Sequence, residues 1–139
     1  MSQNCDQKPS MVAIVTDSCH KIITCCKSQV KTHPLRHAVL VAIDSVAQLQ
    51  RSVDSREDID NKVKTESYLC TGYDFYLNYE PCLMCAMALV HSRIRRLFFL
   101  ESDTSVGDDY CCDRAITLHK FHLLPKLNHH FESWKITLE

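Results

Sequence analysis

Apolar residues fall in short runs between polar turns, and in two longer stretches they recur at helical spacing. Met11 to Val15 is a β-rich run, Asp17-Ser18 is turn chemistry, and Lys21 to Cys26 carries Ile22, Ile23 and Thr24. The two runs predict an antiparallel hairpin. From Pro34 to about Gln50, apolar residues stand at 35, 38, 39, 42, 43, 46 and 49, which is helical spacing. Thr32-His33 can cap that helix, and proline suits its first position. Leu69 to Leu77 reads as a tyrosine-containing strand, Cys82 to about Ser92 as a second helix opened by Glu80-Pro81, and Ile94 to Leu100 as another strand. Strand, helix, strand is a crossover unit, expected to be right-handed and parallel. Leu118 to Leu124 has helical character and stops near Pro125. Phe131 to Leu138 reads as a last strand, with Trp134, Ile136 and Leu138 on one face. The order β-β-α-β-α-β-(α)-β predicts an α/β fold, a three-layer α/β/α sandwich over a mixed five-stranded sheet.

Between these elements lie residues 51–67, polar with mixed charge and little periodicity, and residues 101–117, which read as irregular. The first suggests a mobile, exposed insertion within one domain rather than a linker. The expected organisation is therefore a disordered or truncated N-terminus over 1–10 and a single domain over 11–139, with no internal repeat.

Composition narrows the chemistry. The chain has 139 residues, 45% of them apolar, enough for one domain with a real core. It has only two glycines, Gly72 and Gly107, so neither G-x-G-x-x-G nor a Walker-type phosphate loop can be written. Sixteen Lys and Arg against seventeen Asp and Glu give a net charge of −1, which is no footprint of a strong freestanding nucleic-acid binder. The longest apolar run, Cys82 to Val90, is nine residues. Neither a signal peptide nor a transmembrane helix is expected, and no membrane association. Nine cysteines in a chain read as unsecreted are expected to stay reduced, so a close pair suggests metal or redox chemistry.

The sharpest constellation is Pro81-Cys82-Leu83-Met84-Cys85. Two cysteines three apart at a helix start can place both sulfurs on one metal, and the helix N-terminus favours their thiolates. A redox pair and two core thiols are rival readings of that spacing alone. His37, expected in the first turn of the other long helix, supplies the missing half. Two helix starts carrying one imidazole and two thiolates can meet over one ion. Three protein ligands leave an open tetrahedral position, the mark of a catalytic rather than a closed zinc site.

H-x-E followed by P-C-x-x-C is the signature of zinc-dependent nucleobase deaminases, and this chain resembles them. In that family the glutamate shuttles protons between water, ring nitrogen and leaving group. Here the position holds Val39, which can neither accept nor donate a proton. Losing a positioned general acid/base costs a factor of ~10²–10⁴. The chain is therefore expected to have no catalytic residue and to be inactive alone. His37-Ala38-Val39, Leu69-Cys70-Thr71-Gly72-Tyr73-Asp74, Glu80-Pro81-Cys82, Met84-Cys85-Ala86-Met87-Ala88-Leu89-Val90-His91-Ser92-Arg93-Ile94 and Leu127-Asn128-His129-His130-Phe131 resemble the non-catalytic subunits of the eukaryotic heterodimeric tRNA adenosine deaminases, which make inosine at the anticodon wobble position. The likeness runs from about Met11 to the end, looser over 43–67 and 101–117.

The resemblance implies a cytidine-deaminase-like fold, zinc on His37, Cys82 and Cys85, and a heterodimer whose partner keeps the H-x-E glutamate. It further implies tRNA bound through the complex and residence in nucleus and cytoplasm. Met84 and Met87 on the cysteine helix are candidates for the subunit interface, with ordinary core filling as the rival reading. The family domain usually opens with a helix before the first strand, and such subunits carry a further N-terminal region implicated in tRNA binding. A first strand at residue 11 leaves room for neither. The chain is expected to be a fragment or short form with part of one sheet face uncovered.

Arg93, Arg95 and Arg96 form a basic cluster that suits RNA phosphates or a solvated strand edge equally. His129-His130 read as strand-entry packing or RNA contacts. Tyr73, Phe75, Tyr76 and Tyr79 read as core. Cys5, Cys19, Cys25, Cys26, Cys70, Cys111 and Cys112 read as free thiols. Two other functions remain open: an active deaminase with Asp44 or Glu80 replacing the glutamate, and a structural zinc module with a fourth protein ligand.

Overall fold

The computed structural model describes residues 10–54, 69–100 and 114–138. Strands β1 (Val12–Thr16) and β2 (Ile22–Lys27) form the expected hairpin. They pair antiparallel through Val12↔Lys27 to Val15↔Thr24, with a register shift at Thr16. Asp17 closes the turn, its Oδ1 accepting the amides of Cys19 and Lys21 at 2.9 Å. Helix α1 (Ala38–Asp54) follows, then β3 (Asp74–Leu77), helix α2 (Leu83–His91), β4 (Arg96–Leu100), a short 3-10 turn (Phe121–Leu123) and β5 (Glu132–Ile136). The sheet order is β2-β1-β3-β4-β5. β3 lies antiparallel to β1 and parallel to β4, and β4 is parallel to β5. A mixed five-stranded sheet and the crossover β3-α2-β4 are thus as the pattern predicts.

The period-two alternation sends Ala13, Val15, Phe75, Leu77, Leu97 and Phe99 to one face. There they share one buried cluster with Val39, Ala42 and Val46 of α1 and with Cys85, Leu89 and Val90 of α2. The two helices also pack on each other. On the opposite face, Ile14, Tyr76 and Phe98 are half-buried and Trp134 is 55% exposed. The Tyr76 and Phe98 rings stack at 4.9 Å across the parallel pair β3/β4. Among the described residues no helix covers this side, so two of the three expected layers are seen.

Several boundaries move. α1 begins at Ala38, not Pro34. Residues 29–36 instead close a loop: the Gln29 amide donates to the Arg36 carbonyl, Arg36 Nε donates to Gln29 Oε1, and His33 Nδ1 accepts the Leu35 amide. These local bonds satisfy the backbone that a longer helix would have used. His37 therefore stands just ahead of the helix, its carbonyl accepting from Val41. At the other end α1 runs to Asp54, into the polar stretch expected to be an insertion. Residues 55–67, Cys5, Cys111, Cys112 and most of 1–10 and 101–117 lie outside the described residues. β3 is shorter than expected because Leu69 (φ 56°) and Gly72 (φ +81°) turn the chain before Asp74. The helix expected over 118–124 is only the 3-10 turn Phe121–Leu123, entered through left-handed Lys120.

Candidate metal centre

The cysteine helix is built to present sulfur. Cys82 is its N-cap, in extended conformation, and its Sγ accepts the Cys85 amide at 3.5 Å. A side-chain acceptor at this position satisfies a helix-start amide that has no partner within the helix. Cys85 follows on the first turn, so both sulfurs lie at the same helix end. β3 delivers the chain to that end, and α1, packed beside α2, brings His37 to it.

His37 Nδ1 is 3.6 Å from Cys82 Sγ and 3.4 Å from Cys85 Sγ. All three ligand atoms lie within 4.8 Å of one another, and both cysteines are buried. The hydrogen bond with the Cys85 side chain, the Cys85 amide and the nearby His37 together bring the Cys82 thiol down to about 5, although burial opposes the shift. The thiolate is the metal-ligating form. One imidazole nitrogen and two sulfurs, held this close on two rigid helix starts, fit a zinc ion. Among the described residues no fourth His, Cys, Asp or Glu joins the group, so the closed four-ligand module has no support there.

Among the described residues no proton shuttle takes the place of the missing glutamate. Val39 has no exposed surface and is part of the apolar cluster. The two acids considered as substitutes are committed elsewhere. Glu80 accepts the Ile116 amide at 3.1 Å through Oε1, the Thr117 amide at 2.7 Å, and the Thr117 hydroxyl through both carboxylate oxygens. Asp44 accepts Gln48 Nε2 at 3.1 Å on the same helix. Glu80 has instead a role the sequence did not show. With the Ala115 amide donating to the Pro81 carbonyl, it ties a distant segment to the turn that presents Cys82. Its partners are 36 and 37 residues away, so no local pattern marks them.

The arginine candidates sit at the other end of α2. Arg93 is exposed and left-handed (φ 59°), Arg96 opens β4 and Arg95 stands just ahead of it. Both of the latter grip Asp74, which is fully buried at the start of β3. Arg95 donates through Nε (3.0 Å) and Nη2 (2.7 Å), and Arg96 through Nε (3.2 Å) and Nη2 (2.6 Å). They are thus neither loose nor merely solvated. Of the methionine candidates, Met84 packs on the core and Met87 is 45% exposed. His129 Nε2 bonds the Ile94 carbonyl and His130 Nε2 the Leu124 carbonyl, so both pack at the entry of β5.

The profile of the family described as the cytidine and deoxycytidylate deaminase zinc-binding region matches residues 1–101. The chain belongs to this family. Among its relatives, a zebrafish (Danio rerio) protein named probable inactive tRNA-specific adenosine deaminase-like protein 3 is 43% identical over 119 residues, covering 75% of this chain and 33% of that protein. The tRNA-specific adenosine deaminase subunit TAD3 of Saccharomyces cerevisiae is 42% identical over 85 residues, covering 56% of this chain and 24% of that protein. The chain thus spans about a third or less of the length of these relatives. A structure solved in a study of A-to-I editing by tRNA:A34 deaminases superposes with a TM-score of 0.64 at 21% identity, covering 91% of this chain and 82% of that one. It shares the fold.

Proposed function

We propose that this chain acts as the non-catalytic subunit of a heterodimeric tRNA adenosine deaminase that converts wobble adenosine to inosine. The observation that carries this reading is a complete His37, Cys82, Cys85 donor set beside a fully buried Val39, where the family's proton-shuttling glutamate would stand. The names of the relatives agree with it. His37, Cys82 and Cys85 would hold a zinc ion, which would supply Lewis acidity there and tie the start of α2 to the segment ahead of α1. Without a proton relay the site serves architecture rather than turnover. The partner subunit keeps the H-x-E glutamate and performs the chemistry.

In this reading the metal-bearing start of α2 faces the partner, with exposed Met87 at the edge of that contact, where the helix meets a surface hollow, and Met84 mainly supporting the core. Arg93, Arg95 and Arg96 belong to the surface that meets tRNA, and the complex works in nucleus and cytoplasm. Co-expression with a tagged H-x-E subunit from the same source tests the assembly. The expected result is a one-to-one complex carrying zinc on both subunits. A chain that stays behind while remaining folded and zinc-loaded contradicts the subunit reading.

A further inference from the structure

Beyond the metal centre, the structure has two adjoining hollows at the C-terminal end of α2. One, of about 600 Å³, is lined by Thr71, Arg93, Arg95, Arg96, His129 and His130, with Glu132 at its edge. The other, of about 370 Å³, is lined by His91, Arg93, Lys126, Asn128 and His129 together with apolar residues. Arg93 and His129 line both, so the two adjoin and together form a shallow groove divided by these side chains. Four permanent cations, Arg93, Arg95, Arg96 and Lys126, face two carboxylates, Asp74 and Glu132. Among the described residues the local excess is positive, on a chain whose net charge is −1.

Asp74 gives this groove its character. One buried carboxylate holds two guanidiniums side by side through their Nε and Nη2 atoms. It neutralises only one of them and leaves the Nη1 donors of both forks unused by the clamp. The ordering cost of two long side chains is already met in folding, which favours a rigid, doubly charged donor surface over a flexible one. Planar forks of this kind match phosphate oxygens.

We infer that this groove is a binding site for the phosphodiester backbone of RNA, with Asp74 pre-organising Arg95 and Arg96 and with Arg93 and Lys126 completing the contact. The inference deepens the subunit reading above and rests on it for the identity of the RNA. Cys82 and His91 stand at opposite ends of α2, about 13 Å apart at 1.5 Å per residue. The groove therefore holds RNA away from the metal centre and positions the molecule without touching a reacting base.

The test is a salt titration of tRNA binding, on the complex with the catalytic subunit and on the chain alone. Arg93→Asn with Lys126→Gln removes two cations, and asparagine tolerates the left-handed backbone at 93. Lys21→Gln, in the exposed hairpin turn, is the control for charge lost elsewhere. The double variant is expected to bind tRNA about 5- to 20-fold more weakly near physiological salt, with the log–log salt slope reduced by about 1.4, while Lys21→Gln stays close to the parent. An unchanged slope, or a loss equal to that of Lys21→Gln, overturns the groove. So does a double variant that sheds the catalytic subunit but keeps the tRNA slope, because the groove is then a protein contact. A parent chain that binds tRNA alone but never assembles counts against the subunit reading and leaves the groove standing.

Discussion

Cys85→Ser is expected to remove the metal without unfolding the apolar core. Cys85 is fully buried, and its sulfur lies 3.4 Å from His37 Nδ1. Serine nearly preserves the volume and replaces a soft thiolate by a hydroxyl that stays protonated near neutral pH. Two ligands then remain, and the apparent zinc affinity is expected to fall by at least ~10²-fold, beyond the 10–100-fold that loss of a supporting partner costs. Zinc in hundredfold excess over its dissociation constant raises the stability of a binding protein by about 2.7 kcal/mol. The parent is therefore expected to melt several degrees higher with zinc than after chelation, a gap that vanishes in Cys85→Ser. Metal analysis and paired melting curves check both points. A variant that keeps a full equivalent of zinc and the same zinc-dependent gap means the ligands lie elsewhere.

The second large effect is expected at Asp74→Asn. This carboxyl has no exposed surface, and its burial alone would push its pKa up. The hydrogen bonds from Arg95 and Arg96, with their charges, outweigh burial and hold it below the ordinary aspartate value. Asparagine leaves two guanidiniums facing each other over a neutral amide. Breaking a fully buried ion pair costs 3–5 kcal/mol; the guanidiniums here are partly hydrated, which points to a loss of about 2–4 kcal/mol. The pH dependence follows from the direction of the shift. Because the folded-state pKa is lowered, the contribution is complete above the unfolded aspartate range near ~4 and is lost as pH falls through the lowered value. Denaturant titrations from neutral to acid pH should show that acid-side loss in the parent and a flatter acid limb in Asp74→Asn. A variant as stable as the parent at pH 7 contradicts the clamp.

The convergence of His37, Cys82 and Cys85 was legible because short-range rules fix these three residues. Cys82 and Cys85 are one helical turn apart, and His37 is set at the other helix start by the fold that the alternating strands imply. What stayed hidden depends on contacts between distant residues. Asp74 could be seen as the end of a string but not as the anchor of two arginines more than twenty residues away. Glu80 was visible as a nearby acid, and only the structure shows that Ile116 and Thr117 claim it. The start of α1 was misplaced because Pro34 fits a helix entry as well as it fits the closed loop that Gln29 and Arg36 hold together. The alternation of Trp134, Ile136 and Leu138 marked an apolar face without saying what covers it. The structure places Trp134 and Ile136 on the sheet face that no described helix reaches.

The central claim is that this chain holds a metal without doing chemistry. The most direct measurement is single-turnover inosine formation in tRNA by three preparations: the chain alone, its complex with the catalytic subunit, and the same complex with the partner's H-x-E glutamate changed to glutamine. The account expects turnover only from the second, with the other two lower by at least ~10²–10⁴-fold. Inosine formed by the isolated chain, or undiminished in the glutamine complex, would contradict it.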